Sequence, residues 1–430
     1  MLTWNTPSRR LADGLVRFGL GTPGRWPHPR LASSPRLRAL LGTGVAHVYM
    51  DSADVEEARR LLVLESRFPE ELDGSTVNQP LVRRIIGRYL AADDFARYAA
   101  ELRQEGAGPR ERRYCLYTAL AGWIGLDLAR SFAAGRVWEV SLQLHMGAAA
   151  DRRAAMTLGR WLHRVVPFCL VKVPFMPHVP ESLLVARDLE REGIPVNLTS
   201  TFSARQVVTV ALLANVARTN VFLGRLNDGL EARGLGEHVT LEAQRSLRRL
   251  RHESRTRTQL IAASMRDWRG FVRLAGCDAF TAPCATIRDF LMQPEVPLEA
   301  APGGLATSDN DPFDIAPHVV KDLGMDRVAG LWRVERDLLE FLLEFRDTRA
   351  FRDMTDGDDL YAVFDQAGFG DLFAFPSTKE WAALEESKLP DLSAERARRL
   401  PMDTHYTLLA HADFCRHQRA IDAETARATR

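Results

Sequence analysis

Eight short β-prone runs, separated by longer stretches with apolar residues at helical spacing, fill residues 43–293 and constrain the fold more than any other feature of the sequence. The runs are 45–51, 72–77, 137–144, 168–174, 195–201, 219–224, 259–264 and 278–282. Parallel strands covered on both faces read as near-continuous apolar segments, whereas the crossover helices between them carry one apolar stripe. Leu183, Leu184, Ala186 and Leu189 form such a stripe, and Gly193 stops it. The repeat predicts an α/β protein with a (β/α)8 TIM barrel over 43–293 as its catalytic part. Residues 84–132 read as a helix-rich insertion between the second and third strands.

The flanks differ in composition. Residues 1–42 carry many arginines and one acid, Asp13, superficially like an organelle transit peptide. An ordered extension packed on the barrel is the simpler expectation. After 294, Pro, Gly, Ser and Asp cluster over 295–314 as a linker or lid-like loop. A helix is expected around 326–347, where Leu338, Leu339, Phe341, Leu342, Leu343 and Phe345 are too apolar for a solvated surface. Residues 358–392 read as mixed helix and loop, and the last 25 as a charged helix that frays. The whole of 294–430 is thus expected to be a mostly helical extension on the barrel and a candidate cover for its active site.

Composition excludes several classes of function. The chain has 430 residues, 46% of them hydrophobic, and a net charge of +1, which gives no electrostatic basis for binding nucleic acid or an anionic membrane. No apolar run approaches the roughly 20 residues that span a bilayer. Five scattered cysteines (Cys115, Cys169, Cys277, Cys284, Cys415) contain no CxxC pair, which argues against a disulfide framework and fits a reducing cytoplasm. No His/Asp/Glu cluster has metal-ligand spacing, so no metal and no cofactor is expected. The oligomeric state is open, a homodimer included.

Within this frame Lys172 stands out. It is one of four lysines among 57 basic residues, and it lies inside the apolar run Phe168-Cys169-Leu170-Val171-Lys172-Val173-Pro174-Phe175. Such an ammonium snorkels, pairs with an acid or gives up its proton. A neutral amine attacks carbonyls to form a Schiff base. In this fold, reactive groups close the strands at their carboxyl ends. Asp51 closes the first run, Thr76 and Asn78 follow the second, and Gln143 and His145 close the third. Beyond Lys172 on the fourth come Asn197 and Thr199 on the fifth, Arg225 after the sixth, and Ser264 with Arg266 after the seventh. Polar residues at one end of seven strands are hard to explain as core.

The segments Asp51-Ser52-Ala53-Asp54, Asp73 to Asn78, Val140 to Gln143, Leu170 to Pro174, Gly193 to Thr199, Thr201 to Ser203, Phe222 to Arg225 and Ala263 to Arg266 resemble, in order and spacing, the signature blocks of the transaldolase family. The resemblance covers roughly 250 residues. It implies that Lys172 is a Schiff-base lysine and Asp51 an acid/base, that Asn78 and Asn197 hold the hydroxyls of a three-carbon unit, and that Arg225, Ser264 and Arg266 form a phosphate pocket. The expected substrates are sugar phosphates, in carbohydrate metabolism of the pentose phosphate kind.

Three positions depart from the family pattern. Gln143 stands where a glutamate usually helps hold the catalytic water, and would orient that water toward Thr199 without taking a full proton. Glutamine is also found here in the related fructose 6-phosphate aldolases, which however pair it with tyrosine where this chain has Phe222. His145 replaces an aspartate and could supply a titratable group on the face of Gln143. Asn220 replaces a serine beside the phosphate pocket. The activity expected is a transferase moving a dihydroxyacetone unit. The alternatives are an aldolase releasing free dihydroxyacetone, the same chemistry on an unusual sugar, and a non-catalytic sugar-phosphate binder.

Overall fold

The computed structural model describes residues 29–293, 297–298, 313–387, 392 and 395–429. Most of the 1–42 extension, including any transit-type segment, and nearly all of the 295–314 linker lie outside these residues.

The eight expected strands close into an all-parallel barrel. They are β1 (His47–Met50), β2 (Gly74–Val77), β3 (Glu139–Gln143), β4 (Cys169–Pro174), β5 (Val196–Thr201), β6 (Arg218–Phe222), β7 (Gln259–Ala263) and β8 (Ala279–Ala282). Each pairs with its neighbours in chain order, and β8 returns to β1. Every residue of β4 and β5 is buried, and β4 opens with the consecutive apolar residues Cys169, Leu170 and Val171. Helices follow the strands, and their starts are written locally. Asp54, Asp151 and Ser203 each accept a backbone N–H at the N-terminus of the helix they precede. The fold is a (β/α)8 TIM barrel.

The insertion between β2 and β3 is three helices, Gln79–Leu90, Asp93–Gln104 and Pro109–Phe132. Ahead of β1, helix Pro35–Leu41 buries Leu37 and Leu40 against the barrel. Among the described residues no helix is long and apolar enough to cross a membrane.

Two expectations about the C-terminal region need correction. The helix expected over 326–347 is two helices, Met325–Ala329 and Arg336–Arg346, because Gly330 caps the first and ends it. Its apolar residues Leu338, Leu342 and Phe345 are buried, and the second helix packs on Ala204–Leu213 of the barrel. The end of the chain, expected to be a fraying charged helix, is anchored on the barrel along its first turns. Residues 406–428 belong to helix Met402–Ala428, and Met402 to Phe414 are all buried. The polar residues that suggested a solvated surface find partners on the barrel: Asp403 accepts from Ser203 and Arg205, and Gln206 donates to Thr407.

Two glycines test this packing. A Cβ on Gly74 would lie 1.9 Å from the Glu139 carbonyl oxygen on the adjacent strand, whereas one on Gly87, exposed within Gln79–Leu90, would meet nothing within 4 Å. In urea unfolding, Gly74→Ala should lower stability by about 3 kcal/mol or prevent folding, while Gly87→Ala should raise it by about 0.5–1 kcal/mol.

Candidate active site

The carboxyl ends of the strands open into a cavity of about 510 Å³. Its wall contains Asp51, Thr76, Asn78, Lys172, Asn197, Asn220, Phe222, Arg225, Ser264 and Arg266, ten of the thirteen positions singled out from the sequence. Gln143, Thr199 and His145 are not part of this wall.

Lys172 lies at the middle of β4, in register with Gln143 on one side and Asn197 on the other. Only 3% of its surface is exposed, and its ε-amine makes no hydrogen bond among the described residues. Burial lowers its pKa to about 8, with the Asp51 carboxylate opposing part of that shift. Burial in turn raises the Asp51 pKa, opposed by the Lys172 charge and by a hydrogen bond from Thr76. Thr76 Oγ1 donates to Asp51 Oδ1 at 2.9 Å and lies 2.6 Å from Thr281 Oγ1. Because the Thr76 proton goes to Asp51, the Thr281 hydroxyl donates to Thr76. Asp51 does not cap the next helix; Asp54 does, leaving the Asp51 carboxylate for the cavity.

The amides are tied together. Asn220 Nδ2 donates to Asn197 Oδ1 at 3.1 Å, Asn197 Nδ2 donates to Ser141 Oγ at 3.1 Å, and Thr199 Oγ1 donates to Asn220 Oδ1 at 3.3 Å. Asn220 therefore fixes the orientation of Asn197 and engages the Thr199 hydroxyl, so Thr199 is turned to its neighbour and not to the cavity. Asn78 Oδ1 caps the helix after β2 by accepting from Leu81 N–H, leaving its amide nitrogen as the cavity donor. Gln143 Nε2 points to Met146 Sδ at 3.3 Å, and its buried Oε1 has no partner. Gln143 and Thr199 thus hydrogen-bond to different neighbours, Met146 and Asn220.

His145 also departs from expectation. Strand β3 ends at Gln143, so the alternation that would place His145 on the same face no longer applies. His145 instead caps helix Met146–Ala149, its Nδ1 accepting from Gly147 N–H at 3.0 Å. Its Nε2 therefore carries the proton shared with Asp422 of the C-terminal helix, at 3.1 Å. Tyr114 and Tyr117 flank the ring.

The far end of the cavity is basic. Arg225 lies in the first turn of helix Leu223–Gly229, and Arg266 donates through Nη1 to Ser264 Oγ at 3.1 Å and through Nη2 to Asp228 at 2.7 Å. Ser264 has a left-handed backbone with φ 66°, a conformation that L side chains seldom adopt. A Cβ on Gly224 would lie 2.0 Å from the Ser264 carbonyl, so glycine alone lets the Arg225 turn approach Ser264. Arg225 Nη2 donates to Asp413 of the C-terminal helix at 2.9 Å, and Phe414 stands beside it in the cavity wall.

Residues 48–325 match the family described as Transaldolase/Fructose-6-phosphate aldolase. The chain belongs to this family. A probable transaldolase of Hyphomonas neptunium is 33% identical over 150 residues, covering 34% of this chain and 63% of that protein. A probable transaldolase of Thermus thermophilus is 26% identical over 252 residues, covering 57% and 91%, and a transaldolase of Allorhizobium ampelinum is 26% identical over 303 residues, covering 68% and 87%. Another probable transaldolase, of Rhodospirillum centenum, is 42% identical over 81 residues, 33% of its length, so the chain spans less than two thirds of that protein and of the Hyphomonas one.

In this transaldolase-family chain the cavity also uses residues that sequence reasoning missed. Thr281 could have been found by reading the eighth strand as the other seven were read. Arg84, Asp228, Asp413 and Phe414 gave no local signal, since each reaches the cavity from a helix.

Buried Lys172 carries a stability cost. Its pKa is near 10.5 unfolded and about 8 folded, so the penalty is absent above pH 10.5, grows as pH falls, and is complete below about 8. Lys172→Met should therefore raise stability at pH 7 by roughly 1–3 kcal/mol, with the loss of the counter-charge to Asp51 taking back part of the gain. In urea unfolding, that gain should vanish above pH 10.5.

Proposed function

We propose that this chain is a transaldolase-type transferase that moves a dihydroxyacetone unit from a ketose phosphate to an aldose or aldose phosphate acceptor through a Schiff base on Lys172. The observation that carries the reading is a buried lysine with no hydrogen-bond partner among the described residues, its pKa lowered to about 8, sharing a cavity of about 510 Å³ with Asp51. An amine in this state is about one tenth neutral at pH 7, against under one thousandth for an unperturbed lysine.

The chemistry follows from these groups. Neutral Lys172 adds to the C2 carbonyl; the carbinolamine takes up a proton and loses water, giving an iminium. Cleavage of C3–C4 sends the bonding electrons toward the iminium nitrogen, forming the enamine, while the C4 hydroxyl proton passes to Asp51 and the aldehyde leaves. An acceptor aldehyde then meets C3 of the enamine, Asp51 returns the proton to the new hydroxyl, and water hydrolyses the iminium. Asn197 and the amide nitrogen of Asn78 would hold the hydroxyls of the three-carbon unit, and Arg225, Ser264 and Arg266, which share the cavity wall, would hold the phosphate. Helix Met402–Ala428, as part of the cavity wall, would keep water from protonating the enamine before the acceptor arrives. The reaction suits the reducing cytoplasm, with all five cysteines unbridged.

Borohydride trapping with fructose 6-phosphate should place one reduced three- or six-carbon adduct on the Lys172 peptide, in a yield rising between pH 6 and 9. Sugar binding without an adduct, or an adduct on another lysine, contradicts the proposal. Asp51→Asn should slow transfer by about 10²- to 10⁴-fold while still allowing an adduct.

A further inference from the structure

The phosphate end of the cavity is completed by a segment beyond the family match, which ends at residue 325. Asp413 and Phe414 lie on helix Met402–Ala428 and reach the cavity wall across the barrel mouth. Asp413 is 1% exposed, and its two oxygens serve different arginines: Oδ2 accepts from Arg225 Nη2 at 2.9 Å, and Oδ1 accepts from Arg416 Nη2. His417 Nε2 lies 3.6 Å from Oδ1. The Arg225 guanidinium also sits 5.9 Å from the ring centre of Phe222 and 5.7 Å from that of Phe414. Its Nη1 is buried and has no hydrogen-bond partner among the described residues.

A long, flexible arginine recognises an anion well only when its fork is fixed beforehand. Here one edge of the fork is tied to a carboxylate, two aromatic rings from different elements flank it, and one nitrogen is left without a partner. Because Arg416 shares the same carboxylate, the Arg225–Asp413–Arg416 cluster keeps a net positive charge. The carboxylate thus orients Arg225 without cancelling its attraction for an anion.

We propose that Asp413 is a positioning residue for phosphate recognition by Arg225, which makes the C-terminal helix part of the substrate site. This rests on the reading of Arg225 as a phosphate ligand given above.

Calorimetry on the full chain with inorganic phosphate, fructose 6-phosphate and unphosphorylated fructose tests it without requiring Lys172 to react. Asp413→Asn should weaken both phosphate-bearing probes by about tenfold and raise KM for the phosphorylated donor in step. It should leave fructose binding within about twofold and kcat within about threefold, and Asp413→Glu should recover part of the loss. Unchanged or tighter phosphate binding by a folded Asp413→Asn protein overturns the proposal, as does an equal loss for fructose and its phosphate. So does a wild-type chain that binds no phosphate. If Asp413→Asn does not fold, Phe414→Leu, which keeps the ion pair and removes the ring, should cost at least about threefold in phosphate binding alone; no loss overturns the proposal. A borohydride adduct measured in parallel separates the two readings. Selective phosphate loss in Asp413→Asn without any wild-type adduct sinks the Schiff-base reading and leaves this one standing.

Discussion

An ammonium excluded from water at the mouth of a closed parallel sheet is the constraint on which the rest of this structure turns. Strands β3 and β5 flank Lys172, and the wall of its cavity is completed by Asp51, just beyond β1, and Phe414 from the C-terminal helix. Desolvation lowers the amine's pKa and raises that of Asp51. The same burial therefore moves both groups toward their neutral forms: it frees the lone pair of the amine and makes the carboxylate a stronger proton acceptor. Coulombic attraction between them opposes this, and for both groups burial is the larger cause.

The barrel supplies the geometry for this arrangement. Parallel strands put every carboxyl end on one face, so residues distant in sequence, from Asp51 to Arg266, converge without any long loop. Where chain segments must approach closely there, glycine or a left-handed backbone appears, as at Gly224 against Ser264. The C-terminal helix then lies across that face, tied down by Asp403 on Arg205, Asp413 on Arg225 and Asp422 on His145. Its acids meet barrel groups along its length, and one of those groups, Arg225, belongs to the cavity wall.

What the sequence made legible follows from the same physics. Strands buried on both faces give apolar runs, and a polar residue within or just after such a run stands out; Asp51, Lys172, Asn197 and Arg225 stood out for that reason, and all four line the cavity. Orientation was not legible. Gln143 and Thr199 sit on the expected strands, yet their side chains turn to Met146 and Asn220, because a local hydrogen-bond partner decides which way a strand-end group points. His145 was misread because β3 stops two residues earlier than the alternation required. Asp413 was invisible for a different reason. On a helix rich in charged residues, an acid that will be 1% exposed looks the same as one that faces solvent until the arginine it meets is known.

The most direct measurement of the central claim is the titration of Lys172 itself. With only four lysines in the chain, the ¹³Cε resonances of lysine-labelled protein can be assigned by substitution and followed with pH. An inflection near 8 for Lys172, moving lower still in Asp51→Asn as the neighbouring negative charge is removed, is what this account predicts. An inflection near 10.5, the ordinary lysine value, would contradict it.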